Sequence, residues 1–143
     1  MKRILVLCTG NSARSQMAEG YLRFFADQSE HTEQADVYSA GVAPHGVNPL
    51  SIQVMAEDNV DISQHTSNHV DEYLAIPFDY VITVCDNARE QCPLFPSSAE
   101  TIHHSFPDPG HQPGVDALTS FRQVRDQIKV FAKDFIETRL AHH

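Results

Sequence analysis

Apolar residues recur along this chain with two different periods. Four stretches have strand length and strand character: Lys2–Leu7, Asp36–Ser39, Tyr80–Val84 and, more weakly, Thr101–Phe106. The first is almost continuously apolar through Ile4-Leu5-Val6-Leu7, as suits a strand covered on both faces. Between them the apolar positions fall every three or four residues. Met17, Ala18, Tyr21, Leu22 and Phe25 make one stripe of a helix from about Ala13 to Ala26, which Gly20 weakens modestly. Asn48 and Pro49 read as the N-cap and first residue of a second helix, which turns Leu50, Val54 and Met55 inward and ends near Asn59. A short helix is expected around Val70–Ala75, closed by Pro77. Phe121, Val124, Ile128, Phe131, Phe135 and Ile136 form the stripe of a last helix that starts at Thr119 or Ser120 and continues to Leu140.

Strands that alternate with helices predict βαβ crossovers. The expected fold is a single α/β domain over residues 1–143, a four-stranded parallel open sheet with helices on both faces. In such sheets the site lies beyond the carboxyl ends of the strands. Cys8 follows the first strand and Cys85 the third, so the two sulfurs are expected on one rim.

The junction between the first strand and first helix reads Cys8-Thr9-Gly10-Asn11-Ser12-Ala13-Arg14-Ser15. Gly10 and Asn11 tolerate positive φ, which lets successive backbone N–H groups converge. The helix N-terminus aims further N–H groups and a partial positive charge at the same point. Arg14 adds a permanently charged fork of donors. Thr9, Gly10, Asn11, Ser12, Ala13 and Arg14 thus form a cradle for a tetrahedral oxyanion with the Cys8 sulfur at its base. That environment favours the thiolate. Ser15 is placed to donate a hydrogen bond to it. No Gly-Lys-Ser/Thr follows, so this is not a nucleotide-binding loop. Asp108, held between Pro107 and Pro109, is the candidate acid for a leaving oxygen.

Nineteen acidic against ten basic residues give a net charge of -9, which argues against a nucleic-acid partner. Any anion must be held by local features of the loop. The longest apolar run is too short for a membrane span, and Met1-Lys2-Arg3 leads straight into a strand, so a cytoplasmic protein without membrane contacts is expected. Three cysteines point to catalytic or redox use more than to a disulfide framework. Cys85 and Cys92 are separated by a polar, helix-compatible stretch. As a helix it would hold them about 10 Å apart along its axis, whereas a disulfide needs Cα atoms within about 7 Å. A redox switch that melts this stretch, two unrelated buried cysteines, and a metal site all fit the residues; the missing Cys-x-x-Cys spacing weighs against zinc. The nine histidines are scattered, and none is assigned a catalytic role.

The run Cys8 to Gly20 resembles the active-site loop of thioredoxin-coupled arsenate reductases, which share a fold with low-molecular-weight protein tyrosine phosphatases. The likeness continues through Tyr38-Ser39-Ala40-Gly41, His45–Pro49, Asp61-Ile62-Ser63, His65-Thr66-Ser67, Val84-Cys85, Cys92-Pro93, Asp108-Pro109 and Arg122–Asp126, nearly the whole chain. It implies that Cys8 attacks arsenate held by the loop and Arg14, with Asp108 assisting loss of an oxygen. Cys85 then attacks Cys8 and releases arsenite; Cys92 attacks Cys85 and frees Cys8; thioredoxin, or another thiol donor, reduces the final pair. Related loops often carry a second cysteine where this chain has Ala13, which leaves Cys85 as the implied resolving partner. Some members bind potassium near the loop, at positions matching Asn11, Glu19, Ser39 and Asn68, the last an Asp in those members. Gly110 stands where the phosphatases place a Tyr after Asp-Pro. The alternatives are a phosphatase acting on tyrosine phosphate or small phosphoesters, which needs only Cys8, Arg14 and Asp108, and a redox-sensing or anion-binding module without turnover.

Overall fold

In the computed structural model, the described residues are all but 31, 86–94, 96–97, 112–113, 115 and 142–143. Strand β1, Lys2–Leu7, lies inside a four-stranded sheet of order β2-β1-β3-β4, with β2 Ala35–Ala40, β3 Tyr80–Thr83 and β4 Glu100–His103. Every pairing is parallel. Leu7 is level with Ala40 on one side and Thr83 on the other, and Thr83 with His103, so the strands end along one common rim.

The central place of β1 follows from its composition. Ile4, Leu5, Val6 and Leu7 are all fully buried, and each contributes about 1.5–3 kcal/mol relative to an exposed side chain. Their alternation sorts them onto two faces. Ile4 and Val6 join the larger core with Met17, Tyr21 and Leu22 of α1 (Arg14–Gln28), Val54 and Met55 of α2 (Pro49–Glu57), and Phe121, Val124 and Ile128 of α3 (Ala117–Arg139). Leu5 and Leu7 join a smaller cluster with Val81, Val70 and Phe78, packed by Tyr38, Tyr73 and Phe95. Among the described residues the three α-helices cover one face, and the 3-10 helix Val70–Tyr73 covers the other.

Three boundaries differ from expectation for physical reasons. Helix α3 starts at Ala117 because Asp116 caps it, its carboxylate accepting from the Thr119 amide at 3.0 Å and the Thr119 hydroxyl at 2.6 Å. The 70–75 segment is a tighter 3-10 turn, closed by a reciprocal cap in which the Asp71 amide donates to the His69 ring and the His69 amide to Glu72. Strand β4 ends at His103 rather than Phe106. The chain continues along the end of β3, with the His104 amide on Thr83 O at 2.9 Å and that of Phe106 on Val84 O at 3.3 Å.

Candidate active site

The loop between β1 and α1 is held open from behind. The carbonyl of Thr9 accepts from the Ala43 amide at 3.0 Å, that of Gly10 from the His45 amide at 3.0 Å and the Ser67 hydroxyl at 3.3 Å, and that of Ser12 from the Asn48 amide at 2.9 Å. The Asn11 carbonyl accepts from Gln16 Nε2 at 3.0 Å. In a trans peptide the next residue's N–H points opposite to the carbonyl. Four carbonyls drawn outward therefore turn the amides of Gly10, Asn11, Ser12 and Ala13 inward. Ala13, the N-cap of α1, makes no side-chain cap bond, so the helix start presents its first-turn donors to whatever occupies the cradle.

Of the two residues expected to take positive φ, Asn11 does so, at 47°, and Gly10 does not. A Cβ at position 10 would lie 2.7 Å from the ring of His45, an exposed side chain that would have to shift. Gly41, just beyond β2, is tighter still, since a Cβ would lie 2.3 Å from Thr9 O and 2.8 Å from Cys8 O. Asn11 is wholly buried and acts as the internal strut of the turn. Its Nδ2 donates to Ser15 Oγ at 2.8 Å and its Oδ1 accepts from the Asn68 amide at 2.8 Å. Ser15 is thus an acceptor in this strut, and that bond leaves its own proton unspent.

Cys8 is buried at the foot of a cavity of about 420 Å³ lined by the loop, Arg14, His45, Asn48, Asp108 and Gly110. Arg14 is buried, its Nη1 donating to Phe106 O at 3.2 Å and its Nη2 lying 4.0 Å from Asp108 Oδ2. The other Asp108 oxygen accepts from the Gly110 amide at 3.0 Å. The early end of β4 makes this possible, because the segment leaving the sheet carries both the Phe106 carbonyl and Asp108 to Arg14. A thiol-bearing side chain, a guanidinium and a carboxyl group, those of Cys8, Arg14 and Asp108, therefore share one cavity with inward backbone donors, a geometry suited to displacement at a tetrahedral oxyanion.

That geometry agrees with a match of the whole chain. Residues 3–143 fit the model of the low molecular weight phosphotyrosine protein phosphatases. The chain belongs to this family. Among its curated relatives is an arsenate reductase of Halalkalibacterium halodurans, 44% identical over 139 residues, 96% of each chain. A solved arsenate reductase in the phosphate binding state superposes with a TM-score of 0.78 at 31% identity, covering 95% of this chain and 97% of that one. The low molecular weight protein tyrosine phosphatase of T. tengcongensis shares the fold, with a TM-score of 0.77 at 20% identity over 96% and 99% of the two chains.

Cys85 is fully buried just past β3. It breaks the alternation of that strand: Ile82 and Val84 face the larger core, and Cys85, which would face the other side in a regular strand, joins the same cluster as Cys8. Cys92, the expected partner of Cys85, lies outside the described residues, as do His142 and His143.

The four positions matched to potassium in some relatives form two bonded pairs. The Ser39 hydroxyl donates to Glu19 Oε1 at 2.7 Å, and the Asn68 amide donates to Asn11. Between them runs a link that polar residue types alone did not reveal. Gln16 is fully buried; besides Asn11 O, its Nε2 donates to Thr66 O at 3.0 Å, and its Oε1 accepts from His65 Nδ1 at 3.1 Å. Burial pushes the His65 ring below its ordinary pKa, against the pull of Glu19. His45 and Asn48 also join the cavity wall; their signal in the sequence was the Asn-Pro helix start, which fixes where that segment turns back toward the loop. Among the described residues, no group of three or more His, Cys, Asp or Glu side chains could hold a metal ion, and no helix is long and apolar enough to cross a membrane.

Proposed function

We propose that the protein reduces arsenate to arsenite through a relay of its three cysteines. Arsenate enters the cradle, where the inward amides and Arg14 neutralise its oxygens. The Cys8 thiolate attacks arsenic, and one oxygen leaves as water with a proton from Asp108. Cys85 then attacks the Cys8 sulfur. The electron pair of the S–As bond passes to arsenic, which becomes arsenite, and a Cys8–Cys85 disulfide forms. Cys92 displaces Cys8 from Cys85, and a thioredoxin dithiol reduces the Cys85–Cys92 pair. The sum is arsenate plus two thiols giving arsenite, one disulfide and water, by ordinary thiol–disulfide exchange.

The observation that carries this reading is the placement of Cys85. The Val84 amide bonds to Leu7 O at 3.0 Å, so continuing the register sets Cys8 and Cys85 one residue out of step on adjoining strand ends. Neighbouring strands run about 4.8 Å apart, which is within the Cα range of a disulfide. The names of the relatives support the same substrate, and Gly110 gives the cavity no aromatic wall on that side. The reading also places the protein in a reducing compartment, where a thioredoxin-type donor operates.

The test is arsenate-dependent NADPH oxidation with thioredoxin and its reductase. Turnover is expected for the wild type. Cys85→Ser and Cys92→Ser should lose turnover, while a single arsenate-binding event survives. No arsenate-dependent oxidation with any thiol donor would sink the proposal. Phosphoester hydrolysis that persists after loss of both Cys85 and Cys92 would assign the site to a phosphatase.

A further inference from the structure

Glu19 is a carboxylate built into the wall behind the loop. It lies in the second turn of α1 and is only 8% exposed. An ionised carboxylate so placed is strongly unfavourable without a compensating charge. Both of its oxygens are engaged by protein donors. Oε1 accepts from Ser39 at 2.7 Å; Oε2 lies 3.3 Å from His65 Nδ1 and 3.3 Å from Arg23 Nη2. Arg23 stands one turn further along the same helix, and its guanidinium is also tied to the Val37 carbonyl of β2. Among the described residues it is the only Lys or Arg within ion-pair distance of Glu19.

The residues that would receive a potassium ion do not converge. Asn11 Oδ1 is turned to the Asn68 amide. The Asn68 carboxamide faces away, accepting from the Thr66 hydroxyl at 2.8 Å and donating toward Glu72 at 3.3 Å. A hard cation needs several oxygens aimed at one point, and this set does not fit one. We propose that the Arg23 guanidinium is the built-in counter-cation of Glu19, so that the loop keeps its shape without a bound monovalent ion. Arg23 does not line the cavity. It is a positioning residue that acts through Glu19, His65 and Gln16 on the Asn11 and Thr66 carbonyls.

The test compares full-length protein in potassium, sodium and choline chloride at equal ionic strength, reading melting temperature and arsenate kcat/KM. The kinetic arm rests on the reductase reading; the melting arm does not, so absence of activity in every salt would count against that reading alone. The wild type should be indifferent to the cation in both arms. Arg23→Ala should melt lower and lose roughly 2- to 30-fold in kcat/KM, the range for coupling through an intervening network. The double variant Glu19→Gln/Arg23→Ala, which removes both charges, should melt above Arg23→Ala. That separates charge from packing, because both variants lack the Arg23 stem, and it still reports if Arg23→Ala does not fold. Stabilisation or activation of the wild type by potassium overturns the proposal. So does an Arg23→Ala protein indistinguishable from wild type, or a double variant melting no higher than Arg23→Ala.

Discussion

Replacing Gly41 with Ala tests how tightly the cradle is strapped to the sheet. The added Cβ would lie 2.3 Å from Thr9 O, 2.8 Å from Cys8 O and 2.9 Å from Thr9 C, all backbone atoms that cannot swing aside. Ordinary contact starts at about 3.4 Å, so one of the two segments must retreat by about 1 Å. Gly41 cannot retreat cheaply, because its amide donates to Asn68 O at 2.9 Å and its carbonyl accepts from the Val70 amide at 2.9 Å. Cys8 and Thr9, the first residues of the cradle, are tied as well, the Cys8 amide to Ala40 O at 3.1 Å and Thr9 O to the Ala43 amide at 3.0 Å, so the strain is shared and part of the movement falls on them. A displacement of about 1 Å at a reacting group costs on the order of 100-fold in rate, and overpacking of this kind costs about 1–3 kcal/mol of stability. Urea unfolding and arsenate kcat/KM measured on the same preparation would check both numbers. A Gly41→Ala protein within about 0.5 kcal/mol and about threefold of wild type would refute the reasoning, since the loop would then be free to shift without consequence.

Two further outcomes are expected away from the cavity. Asp116→Ala removes the α3 cap and should cost about 1 kcal/mol in urea unfolding with catalysis unchanged; no loss would mean that the Thr119 contacts are incidental. Asp58 has its carboxyl pKa lowered even though burial alone would raise it, because Lys129 at 2.9 Å and the Tyr21 hydroxyl at 2.8 Å both favour the anion. Its contribution is present above the unfolded carboxylate value of about 3.9 and is lost as pH falls through the lower folded value. Asp58→Asn should therefore flatten the acid limb of a stability-versus-pH curve below about pH 4; an unchanged limb would exclude the pair as its source.

The strand, loop and helix order was legible because the apolar period changes at Cys8 and again at Pro49, and because Asn11 and Asn48 are residues suited to the positions they occupy. The rim carrying Cys8 and Cys85 followed from topology alone. Other features were hidden for separable reasons. The approach of Asp108 to Arg14 depends on the chain leaving the sheet after His103, which no local pattern encodes. Gln16 looks like an ordinary polar residue of a helix, and only packing against the 65–68 segment makes it an internal strut. Helix α3 starts early because the Asp116 side chain caps it through Thr119, a contact that the apolar stripe from Phe121 onward does not reveal. Gly10 and Asn11 both suggested backbone freedom, whereas only Asn11 takes a positive φ.

The straps on the loop come from remote parts of the chain. Ser67 reaches Gly10 across 57 positions, and the Phe106 carbonyl reaches Arg14 across 92. Contacts of such separation are closed late and at high entropic cost as a chain folds. The cradle is therefore fully strapped only when those remote segments have been brought to the loop. Its ordering is settled at folding and not again at each encounter, so an arriving tetrahedral anion meets donors already aimed. Under the proposed function such an anion binds the folded chain and not the unfolded one, and mass action would then make it a stabiliser of the entire domain.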